Sequence, residues 1–361
     1  MNLEGCIDIS LGGAGGVRLR STRPQLAQKL LGGRSPEEAA HLVGLIFSLC
    51  GKAQRVAAAA ACEAALPPYE PGVPCAATVP SPQLSQARAS AVLQELALEH
   101  LWRFAAPQET PEGRAGLLAL RQAAPEPQRF AAVLAEQVQT LLGEPGAGWL
   151  ARDQAGFDAW VATAATPTAL LFAEEDAVLP ARGVLPSLGR LSDAEAAGLA
   201  RQALEVPDFC ARPTLHGAPA ETGALARVDH PLLAAWIARS GIGAGSRLLA
   251  RLLELAELPG RCGAGIPAGQ TLIRAWSLGE GVGLAGVETA RGLLLHVVRL
   301  HAGRVDQYRI VAPTEWNFHP DGGLPQALAA LSPGPDLMAR ARHLCESLDP
   351  CVAYTIEVRD A

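Results

Sequence analysis

The sequence lacks a run of apolar residues long enough to cross a membrane. Its alanine-rich stretch from Val56 to Leu66 contains Glu63 and is much shorter than the roughly 20 residues that a transmembrane helix needs. It also lacks an opening basic segment followed by an apolar one, which is the mark of a signal peptide. We therefore expect a cytoplasmic protein with no membrane partner.

Positive charge is scarce as well. The 361 residues include 30 Lys and Arg against 36 Asp and Glu, which gives a formal net charge of −6, and Lys29 and Lys52 are the only lysines. A nucleic-acid-binding protein needs a basic patch, so we expect no nucleic-acid partner. Because the chain also lacks an internal repeat and a clean linker, we predict that residues 1–361 form a single integrated domain.

The eight cysteines do not indicate disulfides, because an even number of cysteines in a long chain without an export signal carries no such meaning. We expect most of them to be reduced, buried thiols. This expectation covers Cys62, Cys75, Cys210, Cys262 and Cys345.

Hydrophobic periodicity predicts a mostly helical α+β fold with small antiparallel sheets from the two ends of the chain. Alternation on both sides of the glycine-rich residues 12–16 predicts an N-terminal β-hairpin. Ser35 with Glu38 and Ser192 with Glu195 are capping boxes that begin helices. The pattern predicts further helices at 54–66, 85–104, 127–142, 147–161, 232–238 and 246–258, strands at 271–276, 292–300 and 304–311, and a helical return after Pro325 that ends at Leu348.

Two cysteines each occupy half of a C-x-x-C pattern, the spacing of a dithiolate metal clamp. In Cys50-Gly51-Lys52-Ala53 the fourth residue is alanine, and in Cys351-Val352-Ala353-Tyr354 it is tyrosine. Neither residue can bind a metal as a thiolate. Taken alone, Cys50 and Cys351 would be interpreted as ordinary buried cysteines. Their sequence context indicates a metal-facing role instead.

That context resembles the large subunit of nickel-iron hydrogenases. The closest match runs from Gly286 to Asn317 and contains Glu288-Thr289-Ala290-Arg291-Gly292 and Ala312-Pro313-Thr314-Glu315-Trp316, and Asp349-Pro350-Cys351 follows near the C-terminus. Weaker matches are Leu3-Glu4-Gly5, Leu31 to Pro36 and Thr222 to Arg227. With half of the thiolates missing, the chain is similar to the HupK/HoxV group of hydrogenase accessory proteins, which look like shortened large subunits.

The resemblance implies a hydrogenase-large-subunit-like helical core and a set of site residues. In the enzymes four thiolates hold nickel, and two of them bridge to an iron that carries cyanide and carbon monoxide. Cys50 and Cys351 match the two terminal nickel ligands, whereas Ala53 and Tyr354 replace the bridging ones. Soft thiolates suit both metals.

The resemblance also implies a shell around the diatomic ligands. Arg291 and Thr314 match the residues that donate hydrogen bonds to the two cyanides, which are anionic acceptors. Leu294 is expected to line the apolar pocket around these ligands. The alternative for Arg291 is a structural salt bridge, with Glu288 as its partner.

Other family residues are replaced. Gln28 stands where a glutamate serves a structural metal ion, Ala57 replaces a histidine, and Glu357 replaces the histidine that precedes the maturation cleavage. The chain ends four residues after Glu357, so we expect no tail to be removed. The resemblance therefore implies no nickel and no enzyme activity.

Two functions remain open from the sequence. The first is a non-catalytic scaffold in hydrogenase maturation that transiently carries iron with its cyanide and carbon monoxide ligands, receives it from a cofactor-carrying chaperone and passes it to the large-subunit precursor. The alternative is a metal-free interaction protein that mimics the large subunit to bind or protect the same partners.

Overall fold

The computed structural model describes residues 5–12, 16–47, 49–66, 82–105, 111–164, 166–172, 184–265 and 271–359. The fold is α+β and mostly helical, as predicted. The strands are β1 (Cys6–Leu11), β2 (Arg18–Ser21), β3 (Ile273–Ser277), β4 (Val282–Thr289), β5 (Gly292–His301), β6 (Arg304–Val311) and β7 (Ala353–Val358).

The helices alternate between long core helices and short connecting ones. They are α1 (Ala27–Leu31), α2 (Pro36–Ile46), α3 (Gly51–Ala65), α4 (Pro82–Ala105), α5 (Pro111–Ala123), α6 (Pro127–Leu142), α7 (Gly146–Leu150), α8 (Gln154–Thr163), α9 (Pro167–Leu170), α10 (Asp193–Glu205), α11 (Ala224–Arg227), α12 (Pro231–Ser240), α13 (Ala244–Ala264), α14 (Pro313–Asn317), α15 (Gly323–Ala329) and α16 (Leu337–Ser347). None of these, in the part of the chain that the structure describes, combines the length and apolar character that a bilayer crossing requires.

Two helices form the centre of the core. Helix α13 is buried along most of its length and packs against α4 and α6. Helix α3 is rich in buried alanines and lies directly on β4. Its small side chains allow a close approach, because a Cβ added to Gly283 of β4 would lie within 3 Å of the α3 backbone at Ala61 and Ala65.

The larger sheet is antiparallel and has the strand order β3-β4-β5-β6. The turn between β5 and β6 is the predicted one at residues 301–303, where Ala302 and Gly303 both have positive φ. Turns of this kind match the twist of the strands that they join. The turn between β4 and β5 carries Arg291 at one end of the sheet.

The smaller sheet joins the two ends of the chain, in the order β2-β1-β7. Strand β2 pairs with β1 as the predicted antiparallel hairpin, but β7 pairs with β1 in parallel. This sheet was predicted to be antiparallel, but it is mixed. Strand β7 is distant from β1 in the sequence, so no tight turn forces the two strands to run antiparallel. This pairing places Cys351, two residues before β7, close to the N-terminal hairpin.

Most predicted elements are found, with local corrections. Strand β4 and helix α5 were not predicted, since the glycines of β4 weaken its alternation and α5 follows a proline-rich stretch. The predicted helix at 147–161 is two helices, because the Asp153 side chain accepts the Gly156 N–H and starts α8 anew. Both capping boxes are confirmed. The helical return after Pro325 is interrupted between α15 and α16.

Candidate metal-facing site

Cys50 is the residue at which helix α3 begins. Its sulfur accepts a hydrogen bond from Gln54 Nε2, one turn along the helix, at 3.6 Å. The Glu95 carboxylate of α4 accepts the backbone N–H groups of Lys52 and Ala53 at 2.7 and 2.9 Å. A carboxylate at this position accepts hydrogen bonds from free N–H groups of the first turn and interacts favourably with the positive end of the helix dipole. Cys50 is therefore held by a well-anchored helix start.

Cys351 lies in the loop before β7, next to the first turn of α14. The hydroxyl of Thr314 is 3.0 Å from the Cys351 sulfur and accepts the Cys351 backbone N–H at 3.3 Å. Since the N–H occupies one lone pair of this oxygen, the hydroxyl proton is free to point at the sulfur. Thr314 is buried, so this contact is shielded from water.

The two cysteines share one site. Both are half-buried free thiols. The pKa of Cys50 is raised to about 12, first by burial, then by the negative charge of Cys351 and that of Glu99. The charges of both cysteines also raise the pKa of Arg291, so the two side chains lie within range of charge–charge interaction although the sequence separates them widely.

Arg291 reaches the same place from the β4–β5 turn. Its guanidinium forms an ion pair with Glu99 of α4 and a second one with Asp349, with Nε 3.5 Å from Oδ2. Burial would lower the pKa of Arg291, but the charges of Asp349, Glu99, Cys351 and Cys50 raise it. The structure thus brings Cys50, Cys351, Arg291 and Thr314 together.

The alternative partner suggested for Arg291 is wrong. Glu288 instead contacts Arg227, with Glu288 Oε2 3.1 Å from Arg227 Nη1, and accepts the Leu188 N–H at 2.6 Å. The reason is topological: Glu288 lies within β4, whereas Arg291 lies beyond the end of the strand, in the turn.

Three charged residues of the site were not predicted from the sequence. Arg23 follows β2, pairs with Glu315 at 3.1 Å, and has a raised pKa because the charges of Cys351, Glu315 and Cys50 outweigh its burial. Glu99 has a pKa raised to about 7 by burial, and its Oε1 has no hydrogen-bond partner in the part of the chain that the structure describes. Only Glu315 had a signal, since it follows Thr314 in the family motif.

Other residues named from the sequence lie away from the two sulfurs or are used differently. Leu294 is buried in the main core, in the same cluster as the alanines of α3, and its role beside the diatomic ligands stays a prediction. The hydroxyl of Tyr354 contacts Glu346 at 3.2 Å. Gln28 binds the backbone of β6, and its Oε1 accepts the Tyr308 N–H at 2.7 Å. Glu357 is exposed and pairs with Arg359. Glu4 lies outside the described residues.

The remaining cysteines partly follow expectation. Cys62, Cys210 and Cys345 are free and buried, as expected, whereas Cys262 is half-buried. Cys75 lies outside the described residues. In the described ranges, no three or more His, Cys, Asp or Glu side chains form a group that could hold a metal ion. The cysteines therefore offer two thiols, with the guanidinium of Arg291, its carboxylate partners Glu99 and Asp349, and the Thr314 hydroxyl around them.

Residues 269–356 match the family model of nickel-dependent hydrogenases. Over nearly its whole length the chain is also similar to curated proteins. It is 33% identical to the hydrogenase expression/formation protein HoxV of Cupriavidus necator, with 94% of this chain and 92% of that protein covered. It is 33% identical to the hydrogenase expression/formation protein HupK of Rhizobium leguminosarum bv. viciae, with 96% and 93% covered.

Solved hydrogenases share the fold. A nickel-iron-selenium hydrogenase variant from Desulfovibrio vulgaris Hildenborough superimposes with a TM-score of 0.54 at 16% identity, covering 93% of this chain and 92% of that one. An NAD+-reducing nickel-iron hydrogenase gives a TM-score of 0.54 at 15% identity, with the same coverage. At this identity the likeness concerns the architecture alone.

Proposed function

Since this chain belongs to the family of hydrogenase expression/formation proteins that includes HoxV, HupV and HupK, we propose that it acts in hydrogenase maturation as a non-catalytic scaffold. Its cargo would be an iron ion that carries cyanide and carbon monoxide ligands. The observation that supports this most is the meeting of Cys50 and Cys351 beside Thr314 and Arg291.

The donor set suits iron that arrives with its own ligands better than a bare ion. Two thiolates leave most coordination positions of iron open, and diatomic ligands would fill them. Arg291 and Thr314 would then donate to the cyanide nitrogens, because anionic acceptors are bound best by charged and hydroxyl donors in a dry site.

Two protein ligands also suit temporary binding. Ala53 is buried and Tyr354 directs its hydroxyl to Glu346, so neither supplies the second thiolate of its motif. A scaffold with fewer metal bonds than the final enzyme can release its cargo to a site with more. The partners would be a chaperone that brings the iron unit and the large-subunit precursor that receives it, in the cytoplasm.

Infrared spectroscopy tests the proposal, because bound cyanide and carbon monoxide give separate stretching bands. We expect these bands, with iron, in protein purified from maturation-competent cells, and we expect Cys50→Ala and Cys351→Ala to abolish them. Cys262→Ala is the matched control, since Cys262 is also a half-buried free thiol. Iron-free protein without such bands would overturn the scaffold.

One observation favours the second candidate, a metal-free interaction protein. The charge of the Arg291 guanidinium is already compensated by two carboxylates, Glu99 and Asp349, without a cyanide. In this case the double change of Cys50 and Cys351 to serine would leave hydrogenase maturation in cells intact. Loss of maturation in that variant, with normal folding, would exclude this candidate.

A further inference from the structure

Three large aliphatic side chains are exposed directly before Cys50. They are Leu45, 69% exposed, Ile46, 40% exposed, and Leu49, 51% exposed. The residues on either side of them touch, because a Cβ added to Gly51 would lie 2.7 Å from the Gly44 carbonyl oxygen. The three side chains, here called the aliphatic patch, therefore lie in one small region beside Cys50. Clustered aliphatic side chains at a surface indicate a place that another protein covers.

A narrow groove lies between α1 and α2 and is lined by Ile46 of the patch. Its other walls are apolar and include Leu26, Leu30, Val43 and Phe47. Its volume is about 70 Å³, whereas sites for small molecules usually measure roughly 300–1,000 Å³. The groove therefore suits an apolar side chain of another protein better than a free ligand.

The groove reaches the cysteine site through an ion pair. Arg23 and Glu315 both line the groove, and Arg23 Nη1 lies 3.1 Å from Glu315 Oε1. Arg23 is also within range of the charges of Cys351 and Cys50. A protein that fills the groove would thus lie next to the two cysteines.

The part of the chain that carries the patch is basic, although the whole chain is acidic. Residues 1–55 contain seven Lys and Arg against four Asp and Glu, a net charge of +3 in a chain of net charge −6. Arg55 of α3 lies against the end of α2, since a Cβ added to Gly44 would lie 3.1 Å from Arg55 Cβ. The Arg55 side chain is exposed and, among the described residues, pairs with no carboxylate. Charge complementarity therefore favours an acidic partner.

The shared fold favours the chaperone over the large-subunit precursor as this partner. A solved hydrogenase superimposes on this chain over 92% of its own length. A chaperone that binds the precursor can use the same contacts on this chain, because the two have the same architecture. The precursor would instead have to bind a protein of its own fold.

We propose that the aliphatic patch and the adjoining groove are the docking surface for the iron-carrying chaperone, which inserts an apolar side chain between α1 and α2 and surrounds it with carboxylates. The identity of this partner rests on the proposed function. The position of the surface rests on the exposure of the patch, the groove and the charges around them. Docking here would bring the chaperone's cargo to the side of the site where Arg23 lies.

Binding measurements with two purified probes, the cofactor-carrying chaperone and the large-subunit precursor, test the surface. The iron-free chain is titrated with each probe by isothermal titration calorimetry. We expect the double variant Leu45→Ser and Leu49→Ser to weaken chaperone binding about tenfold or more, the usual effect of removing a central apolar contact. Its affinity for the precursor should not change.

The matched control is the double variant Leu118→Ser and Leu170→Ser. These leucines are 57% and 61% exposed and lie on α5 and α9, outside the patch and the groove. Chaperone affinity should be the same as in the wild type. Because all four leucines are exposed, none of these changes should prevent folding, and circular dichroism confirms this for each variant.

The charge of the surface is tested separately. Arg55→Glu should weaken chaperone binding severalfold at low salt and less at high salt, because complementary charges are screened by ions. Arg201→Glu, the same change at an exposed arginine of α10, should have no effect.

Three outcomes would overturn the proposal. They are a wild type that does not bind the chaperone, equal chaperone affinity in the wild type and the Leu45 and Leu49 variant, and a loss of binding to the precursor in place of the chaperone. Infrared bands decide the scaffold function independently. Missing bands with weakened chaperone binding would remove the scaffold and keep the surface, whereas normal bands with unchanged binding would do the reverse.

Discussion

The chain contains two buried clusters of opposite charges, and they differ in how completely their carboxylates are satisfied. In the first, here called the charged cluster, Arg227 contacts both oxygens of Glu254 at 2.7 Å, and His100 contacts Glu254 at 2.7 Å. Glu288 completes this cluster through Arg227 and the Leu188 N–H. Every carboxylate oxygen of Glu254 and Glu288 therefore has a donor.

The second cluster is the cysteine site, where Glu99 pairs with Arg291 through one oxygen and its Oε1 has no partner among the described residues. The pKa values of Glu99 and Glu254 follow this difference, although burial also raises the pKa of the fully paired Glu288. Burial raises that of Glu99 to about 7, whereas for Glu254 the Arg227 charge and hydrogen bonds outweigh burial and lower it. Saturated pairing indicates a cluster that stabilises the fold, and incomplete pairing indicates a site with capacity for another group.

The largest effect should come from breaking the charged cluster. Glu254→Ala removes the main partner of a buried arginine and leaves its charge poorly compensated. We expect a loss of about 3–5 kcal/mol in the free energy of unfolding, measured by urea titration. Asp158→Ala, which breaks a half-exposed ion pair with Arg239, is the control and should cost less than about 1 kcal/mol. Equal losses would remove the distinction between structural and surface pairs.

Glu99→Gln should instead raise the free energy of unfolding at alkaline pH. The folded protein holds the Glu99 proton more tightly than the unfolded chain, so stability falls as pH rises from the ordinary glutamate pKa through about 7. Glutamine does not ionise, so the variant should be more stable than the wild type by about 2–4 kcal/mol at pH 8.

This difference should disappear near pH 4, where Glu99 is protonated in both states. Unfolding curves at pH 4 and pH 8 provide the measurement. A variant that is less stable than the wild type at pH 8 would make Glu99 a structural partner like Glu254, and the contrast between the clusters would be lost.

The pH dependence of stability gives a further comparison, between the buried histidines His296 and His100. Burial lowers the pKa of His296 to about 3, and its hydrogen-bond partners, Tyr308 and Gln54, are neutral. The unfolded chain therefore binds the proton more readily, and stability that is complete above the ordinary histidine pKa is lost as pH falls below it. We expect His296 to contribute a slope of about 1 kcal/mol per pH unit between pH 6.5 and 5.5, which approaches about 1.4 kcal/mol per pH unit at lower pH.

His296→Gln should lack that contribution. His100→Gln is the comparison, because burial lowers the pKa of His100 but the hydrogen bond and charge of Glu254 oppose the shift. Its effect on the slope should be smaller. A larger effect for His100 would mean that the charged cluster, and not His296, controls stability in acid.

The sequence predicted the parts of the fold that depend on local signals. Capping residues at Ser35 and Ser192, the Ala302-Gly303 turn and regular apolar periodicity each act over a few residues, and those elements are confirmed. The parallel pairing of β7 depends on contacts between the two ends of the chain, and local patterns carry no information on it.

The residues of the candidate site also fall into those predicted from the sequence and those that depend on tertiary packing. The family resemblance identified Cys50, Cys351, Arg291 and Thr314, which the fold brings together. It gave no signal for Arg23, which follows the hairpin and comes within range of the Cys351 and Cys50 charges because β7 lies beside β1. Glu99 was equally invisible, since it is one of several glutamates on a long helix and only the helix packing directs it to Arg291.

The smallest expected effect concerns Thr314, whose hydroxyl contacts both the sulfur and the backbone N–H of Cys351. Thr314→Val keeps the shape but removes the acceptor of the Cys351 N–H and the donor to its sulfur. We expect a loss of about 1 kcal/mol in unfolding free energy, the value of one hydrogen bond, and Thr314→Ser should restore it. If iron is bound, the cyanide bands should shift in the valine variant and return in the serine variant. Restored stability with bands that do not move in either variant would show that Thr314 supports the Cys351 loop and does not face the cargo.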